Sequence, residues 1–469
     1  MKVSDPSFPR PSWWELLLGT ALCSAVAWLN GFPLVFSDTG VYLLHSFDWA
    51  VPPDRPIFYS LFLSLFHGFK TLWAPVLVQA AIGAFLVSLV LIRFGLRRAT
   101  RRLAVLAVLV LVTGLSRFAG QLMPDVFLGY FVLSFYLLAC HREDLSRVER
   151  ALLVAILMVS VLVHNTHLVL CGAMLVSVGL LAWGLRRRGT RGVADLRLPA
   201  LAFVAVLVIW PTVNKLLSGR AFFSRSGHIF LTGRLINDGI VQELLARRCG
   251  VEHYALCDYQ DDLKGMSSGE FLFLDRPSFI GLGGWNMRSR QVSRMLVDSV
   301  RYLPGMHFEA AVRGVWSQLR SFDLEDGVER YGPDRYAFRA IAELYPADAP
   351  SYQRSMQETD RLLPLLGRHR PLHQWVCVLS LVLLPVLGWL TLRRGGEWRA
   401  AVLPVMVALT LVYNAVLTSL LSGVFPRLQS RAMWLPILAC VALALRLWAN
   451  RRTGNEGRGE QASRLGFTP

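Results

Sequence analysis

Charged residues are scarce in this chain. Asp, Glu, Lys and Arg make up 17% of 469 residues, while 54% are hydrophobic. An ordinary soluble domain carries about 25% charge, so that class is excluded. Several apolar runs approach the roughly 20 residues that carry a helix across a bilayer. A backbone in lipid must satisfy its hydrogen bonds within its own segment, so these runs are read as helices. The expected fold class is all-α, a polytopic transmembrane bundle.

Acids are fewer than bases, 32 Asp and Glu against 49 Lys and Arg, which leaves a net charge of +17. Such a balance invites a nucleic-acid partner, but its distribution argues against one. The arginines cluster in short turns between apolar runs: Arg93, Arg97, Arg98, Arg101 and Arg102; Arg142, Arg147 and Arg150; Arg186, Arg187, Arg188, Arg191 and Arg197. That is the positive-inside pattern, which orients spans in a membrane. The expected partner is lipid, with no nucleic acid.

Other features are missing as well. No small-x-small cleavage site follows the first apolar run, which is therefore read as an uncleaved span. No fixed-period repeat and no inverted symmetry of the transporter kind stands out. No CxxC pair or four-ligand zinc signature occurs, which argues against a structural zinc site. Of the seven cysteines, Cys23, Cys140, Cys171, Cys377 and Cys440 fall in or beside apolar runs. Cys249 and Cys257 lie eight residues apart in a polar region, and a disulfide between them is expected if that region faces an oxidising compartment.

Placing the arginine-rich turns in the cytoplasm gives about ten spans with both termini inside. They fall near 13–35, 74–92, 103–116, 125–140, 151–163, 168–185, 198–217, 371–392, 400–421 and 432–449. The segment 57–69 is too short to cross and is read as an interfacial or re-entrant helix. Four regions follow: an N-terminal bundle over 1–217, an external region over 218–370, a three-span segment over 371–449 and a disordered cytoplasmic tail over 450–469. Amphipathic spacing predicts helices over 289–302 and 306–322. The setting implied is a bacterial-type inner membrane.

Polar residues then collect at the external ends of the spans. Asp38, Tyr42, Asp54, Arg55 and Tyr59 lie in the first external loop, and Arg117 and Asp125 flank the second turn. His164, Asn165 and His167 form the third turn, and Arg427 and Arg431 lie in the last. Each has a plainer role open to it. Asp38 in Ser37-Asp38-Thr39 suits a helix cap, and Asp125 after Pro124 suits a helix N-terminus. The histidines suit a membrane interface, and the two arginines suit lipid phosphates reached by snorkelling. The convergence of all of them on one face favours a site.

Ser37-Asp38-Thr39 with Tyr42, and Met123-Pro124-Asp125, placed on this topology, resemble the GT-C superfamily of integral-membrane glycosyltransferases. Ser-Asp stands where that superfamily commonly has paired acids. The resemblance implies transfer of a sugar from a polyprenyl-phosphate-linked donor to a lipid or glycan acceptor at the external face. Asp38 is then the expected general base, with Asp125 or Asp54 orienting the acceptor or holding a divalent cation. Arg55, Arg117, Arg427 and Arg431 would meet the lipid phosphate, helped by His164, Asn165 and His167. Tyr42 and Tyr59 would bind substrate, and the re-entrant segment 57–69 would border a groove for the polyprenyl chain. A transporter or flippase of a lipid-linked or anionic substrate, a polysaccharide polymerase or ligase, and a non-catalytic assembly protein are the other readings.

Overall fold

The computed structural model describes residues 9–190, 193–395 and 398–464, with no side chains described for 395 and 450–464. Lys2, Arg191 and the tail expected over 450–469 lie outside the fully described residues. Among the described residues, regular structure is helical throughout, apart from one isolated parallel bridge between Leu34 and Gln121.

Six helices are long and apolar enough to cross a membrane: Trp73–Arg93, Asn165–Arg187, Arg197–Ser218, Leu362–Arg394, Trp398–Leu421 and Pro426–Ala449. The other four expected spans are also helical but shorter or interrupted. The first is broken at Ser24 into Trp13–Cys23 and Ala25–Asn30. Ser116 Oγ accepts the Val26 N–H at 2.9 Å, which stitches the break to the short Leu115–Ala119 helix. The remaining three are Ala99–Val112, Phe127–Cys140 and Arg147–Leu162.

Phe127–Cys140 shows why a short apolar helix is sufficient. At about 1.5 Å per residue it spans only about 21 Å, well under the roughly 30 Å of a hydrocarbon core. Yet every one of its residues is buried. It packs against Trp73–Arg93, Arg147–Leu162, Arg197–Ser218 and Trp398–Leu421. Its neighbours are protein rather than lipid, so bilayer thickness does not set its length. Gly129 lets Trp434 lie on the helix backbone: a Cβ there would come within 2.1 Å of the indole.

A buried ion pair closes the first helix onto Ala99–Val112. Arg102 donates to Glu15 through Nε at 2.7 Å and Nη2 at 2.5 Å, and through Nη1 to the Leu96 carbonyl at 2.9 Å. Both side chains are buried, so removing either would leave an uncompensated charge in the bundle.

The region 218–370 divides into two parts. Helices from Gly227–Asn237 to Ser289–Tyr302 share their own apolar core, built on Ile229, Leu244, Phe271 and Met295. Beyond Pro304–Arg320, the chain instead packs on the main bundle, with Val328, Tyr331, Ile341 and Tyr352 in the large core. Within the first part, Cys249 and Cys257 are bonded to each other, with Cα atoms 5.8 Å apart. Loop-closure entropy for so short a loop is worth about 2.5 kcal/mol. The Cys249→Ser/Cys257→Ser variant should therefore lose about that much stability, read as a lower unfolding midpoint of non-reduced protein in detergent.

Several boundaries differ from expectation: the run expected over 103–116 is helical over Ala99–Val112, and that over 151–163 over Arg147–Leu162. The span expected to begin at 371 begins at Leu362 and carries Pro371 and Pro385 inside it. Proline reads as a helix start in water, but in a membrane bundle neighbouring groups re-satisfy the freed carbonyls and the helix continues.

Candidate functional site

The site forms where the 31–38 loop meets the turn after Leu115–Ala119. Leu34 donates its N–H to the Gly120 carbonyl and accepts the Leu122 N–H, both at 2.9 Å. Thr39 Oγ1 donates to the Leu122 carbonyl at 3.1 Å and accepts the Phe36 N–H at 2.9 Å. Gln357 grips the same loop from 322 residues away, accepting the Val35 N–H at 3.0 Å and donating to its carbonyl at 2.7 Å. Thr39 thus does most of the local side-chain hydrogen bonding, and the Asp38 carboxylate takes only a long bond from the Ser37 hydroxyl, at 3.4 Å. Asp38 occupies the N-cap position of Thr39–Asp48 but makes no side-chain cap bond.

Asp38 turns instead to Arg55. Its Oδ2 lies 2.9 Å from Arg55 Nη1, and its side chain keeps 29% exposure. Arg55 also donates through Nε to Asp54 Oδ2 at 3.0 Å and lies 5.2 Å from the centre of the Tyr42 ring. Tyr59 stands edge-on behind Tyr42, 4.9 Å between ring centres, and its hydroxyl donates to Gln79 at 2.6 Å. Both rings are buried in the main core, Tyr42 next to Arg55 and Tyr59 behind it.

A second cluster surrounds Asp125, whose side chain is only 3% exposed. Its Oδ1 accepts from Arg431 Nη1 at 3.0 Å and its Oδ2 from Arg427 Nη1 at 3.4 Å. Arg431 is fully buried, donates through Nη2 to Asn414 Oδ1 at 2.9 Å, and places Nη1 3.1 Å from His164 Nε2. It does not snorkel. Arginine can only donate, so His164 Nε2 accepts from Arg431, while Nδ1 lies 2.9 Å from Thr166 Oγ1 and 3.3 Å from the Thr166 backbone nitrogen. Burial, then Arg431, holds His164 well below the ordinary histidine range, so it is neutral. His167 stacks on His164 with ring centres 4.7 Å apart and donates from Nδ1 to the Ser160 carbonyl at 2.7 Å. Asn165 stands apart, lining a small pocket with Pro52, Arg55, Asn214 and Phe222.

The segment 323–331 lies across this cluster, and sequence reasoning missed it. Its Asp326 carboxylate accepts the Arg427 N–H at 2.8 Å, while its carbonyl accepts from Arg117. Gln121 donates to the Gly327 carbonyl at 2.8 Å, and Ser430 to that of Asp323 at 2.5 Å. Gly327 has φ +84°, and a Cβ there would meet the Phe36 ring at 2.8 Å and Arg427 Cδ at 3.2 Å. Phe36 in turn lies under the Arg427 guanidinium, 3.7 Å from ring centre to carbon. The only sequence signal was the acid-rich run Asp323-Leu324-Glu325-Asp326 before a glycine.

Arg117 completes the group. It is buried with no carboxylate at ion-pair distance among the described residues, and its Nε and Nη1 have no hydrogen-bond partner there. Arg431 Nε is likewise without an acceptor. Burial brings Arg117 down from its ordinary value to about 10, so it is charged at neutral pH. The two clusters have opposite polarity. Arg117, Arg427 and Arg431 outnumber Asp125 and Asp326 in one, whereas Asp38 and Asp54 outnumber Arg55 in the other.

A divalent cation does not fit this set. Both Asp125 oxygens already accept from arginines, and no group of three or more His, Cys, Asp or Glu among the described residues is placed to hold a metal. No family profile, curated protein or solved structure matches the chain.

The arrangement can hold an anion against guanidinium groups in a buried setting, where charge-assisted hydrogen bonds are strongest. A partly exposed carboxylate, Asp38, stands at its acidic edge.

Proposed function

We propose that this protein is an integral-membrane glycosyltransferase of the GT-C type, with about ten spans and both termini in the cytoplasm of a bacterial-type cell. It moves a sugar from a polyprenyl-phosphate donor to a lipid or glycan hydroxyl at the external face. The observation that carries this reading is the set of buried guanidinium N–H groups on Arg117 and Arg431 that have no acceptor among the described residues. Buried donors left unpaired in a folded protein call for a partner, and a phosphate diester offers oxygens that suit arginine geometry. The Cys249–Cys257 disulfide supports an oxidising compartment for the region beside the site.

In this mechanism Asp38 takes the proton of the acceptor hydroxyl. The acceptor oxygen attacks the anomeric carbon, and the bond from that carbon to the donor phosphate oxygen breaks. The electron pair leaves with the polyprenyl phosphate, whose added negative charge is met by Arg117 and Arg427, with Arg431 behind them. Asp125 aims the two arginines of its cluster and does not itself exchange a proton. His164, neutral, accepts from Arg431 and fixes its plane.

The reading predicts that Arg117→Ala weakens binding of polyprenyl phosphate alone by about tenfold to a hundredfold, since a hydrogen bond to a charged group is worth about 1.5–3 kcal/mol. Isothermal titration in detergent measures this. Unchanged affinity would remove Arg117 from the phosphate site.

A further inference from the structure

The arginine-rich end of the bundle carries a second cavity, remote from the site. A cleft of about 570 Å³ opens where Phe127–Cys140 and Asn165–Arg187 end and where Arg197–Ser218 and Trp398–Leu421 begin. This is within the roughly 300–1,000 Å³ typical of small-molecule sites. Along Asn165–Arg187, Arg186 lies about 33 Å from His164 at about 1.5 Å per residue, so the two cavities are separate.

Its walls are of two kinds. Gly179, Ala182 and Leu196 give an apolar wall low enough to admit a chain, and Gly179 has only the Leu196 methyl at 3.4 Å in front of it. Arg142, Arg186, Arg197 and Arg399 form the rim with Glu143 and Asp195 among the described residues, and Arg399 Nη2 lies 3.6 Å from a Glu143 oxygen. Asp195 serves two of these arginines, accepting from Arg142 at 2.6 Å and from Arg197 Nε at 3.1 Å. Arg186 donates to the Ala194 carbonyl at 2.8 Å, and no carboxylate among the described residues pairs with it. Among the described lining residues the rim thus holds four arginines and two acids.

The surroundings say what kind of anion belongs there. Trp183, 54% exposed, stands at the mouth with the Arg187 guanidinium 4.0 Å over its ring. An aromatic ring beside arginine at the end of an apolar helix is the pattern of a headgroup boundary. The wall belongs to two helices long and apolar enough to cross a membrane. A soluble anion would use the rim and leave the apolar wall uncovered, whereas a phospholipid uses both.

We propose that this cleft holds an anionic glycerophospholipid, its phosphate on Arg186 and Arg399 and one acyl chain along Gly179 and Ala182. This site does not depend on the proposed transferase activity. Its test is native mass spectrometry of the full chain in detergent, titrated with dioleoyl phosphatidylglycerol or dioleoyl phosphatidylcholine. The wild-type protein should retain the anionic lipid at least tenfold more tightly. At roughly fivefold per arginine, Arg186→Gln/Arg399→Gln should lose about 25-fold of that affinity. Arg97→Gln/Arg98→Gln, which removes the same charge from a turn outside the cleft, should lose less than twofold. The wild-type comparison needs no variant and stands even if one folds poorly. Equal retention of the two lipids, or equal losses in the two double variants, would overturn the site. Full displacement of the lipid by millimolar glycerol phosphate would overturn the lipid assignment, because it would make the ligand a soluble anion.

Discussion

Asp125→Ala should cost about 3–5 kcal/mol of stability and abolish transfer. The carboxylate sits between Arg427 and Arg431, which approach opposite oxygens at 3.4 and 3.0 Å. Both partners are held in place by other bonds: Arg431 by Asn414, and the Arg427 backbone by Asp326. Neither can follow the lost acid to water, so two guanidinium groups would face each other while buried, and breaking a buried ion pair in this way is strongly destabilising. Asp125→Asn keeps the shape and one accepting oxygen, so it should lose less stability. Transfer should still fall, because the arginines are no longer held by charge. The unfolding midpoint in detergent reports the first effect. An Asp125→Ala protein as stable as wild type would show that the arginines are not held by this acid.

Asp38→Asn should leave the fold nearly unchanged and remove the activity. Its ion pair with Arg55 is partly exposed, and such pairs contribute about 0–1 kcal/mol. Arg55 also keeps Asp54 as a partner, bonded through Nε at 3.0 Å. A general base contributes about 10²–10⁴ to rate, so kcat should fall by that factor. KM for the lipid donor should move less than threefold, because Asp38 does not touch the phosphate in this mechanism. Asp48→Asn is the matched control: that acid pairs with His45 on the exposed side of the same helix, and its loss should not change kcat. A fall in donor affinity with kcat intact would assign Asp38 to binding instead.

The bundle was legible because lipid imposes simple rules on sequence. Apolar runs and arginine-rich turns follow from them, and the run over 74–92 appears as Trp73–Arg93 within a residue at each end. Six of the runs meet the length and apolarity of a membrane helix. The short runs were harder, because their length depends on whether protein or lipid surrounds them. Phe127–Cys140, buried on every side, has no sequence mark of that beyond its lack of polar residues. The polar residues singled out at one end do come together, since Asp38 meets Arg55 and Asp125 meets Arg427, Arg431 and, through Arg431, His164.

What escaped the sequence was long-range side-chain pairing, which leaves no period to read. Arg117 reaches Asp326 across 209 residues and Gln357 reaches Val35 across 322. Arg102 was read only as one of a turn's arginines and is instead half of a buried pair with Glu15. The bond from the Tyr59 hydroxyl to Gln79, twenty residues on, likewise left no mark in the sequence.

The most direct test uses purified protein in proteoliposomes with donors that carry a labelled sugar on polyprenyl phosphate. Wild-type protein is predicted to release polyprenyl phosphate and place the label on an acceptor hydroxyl, and Asp38→Asn to do neither while still binding the donor. Label that crosses the vesicle with its donor intact, in wild type and Asp38→Asn alike, would contradict the account and make the protein a transporter.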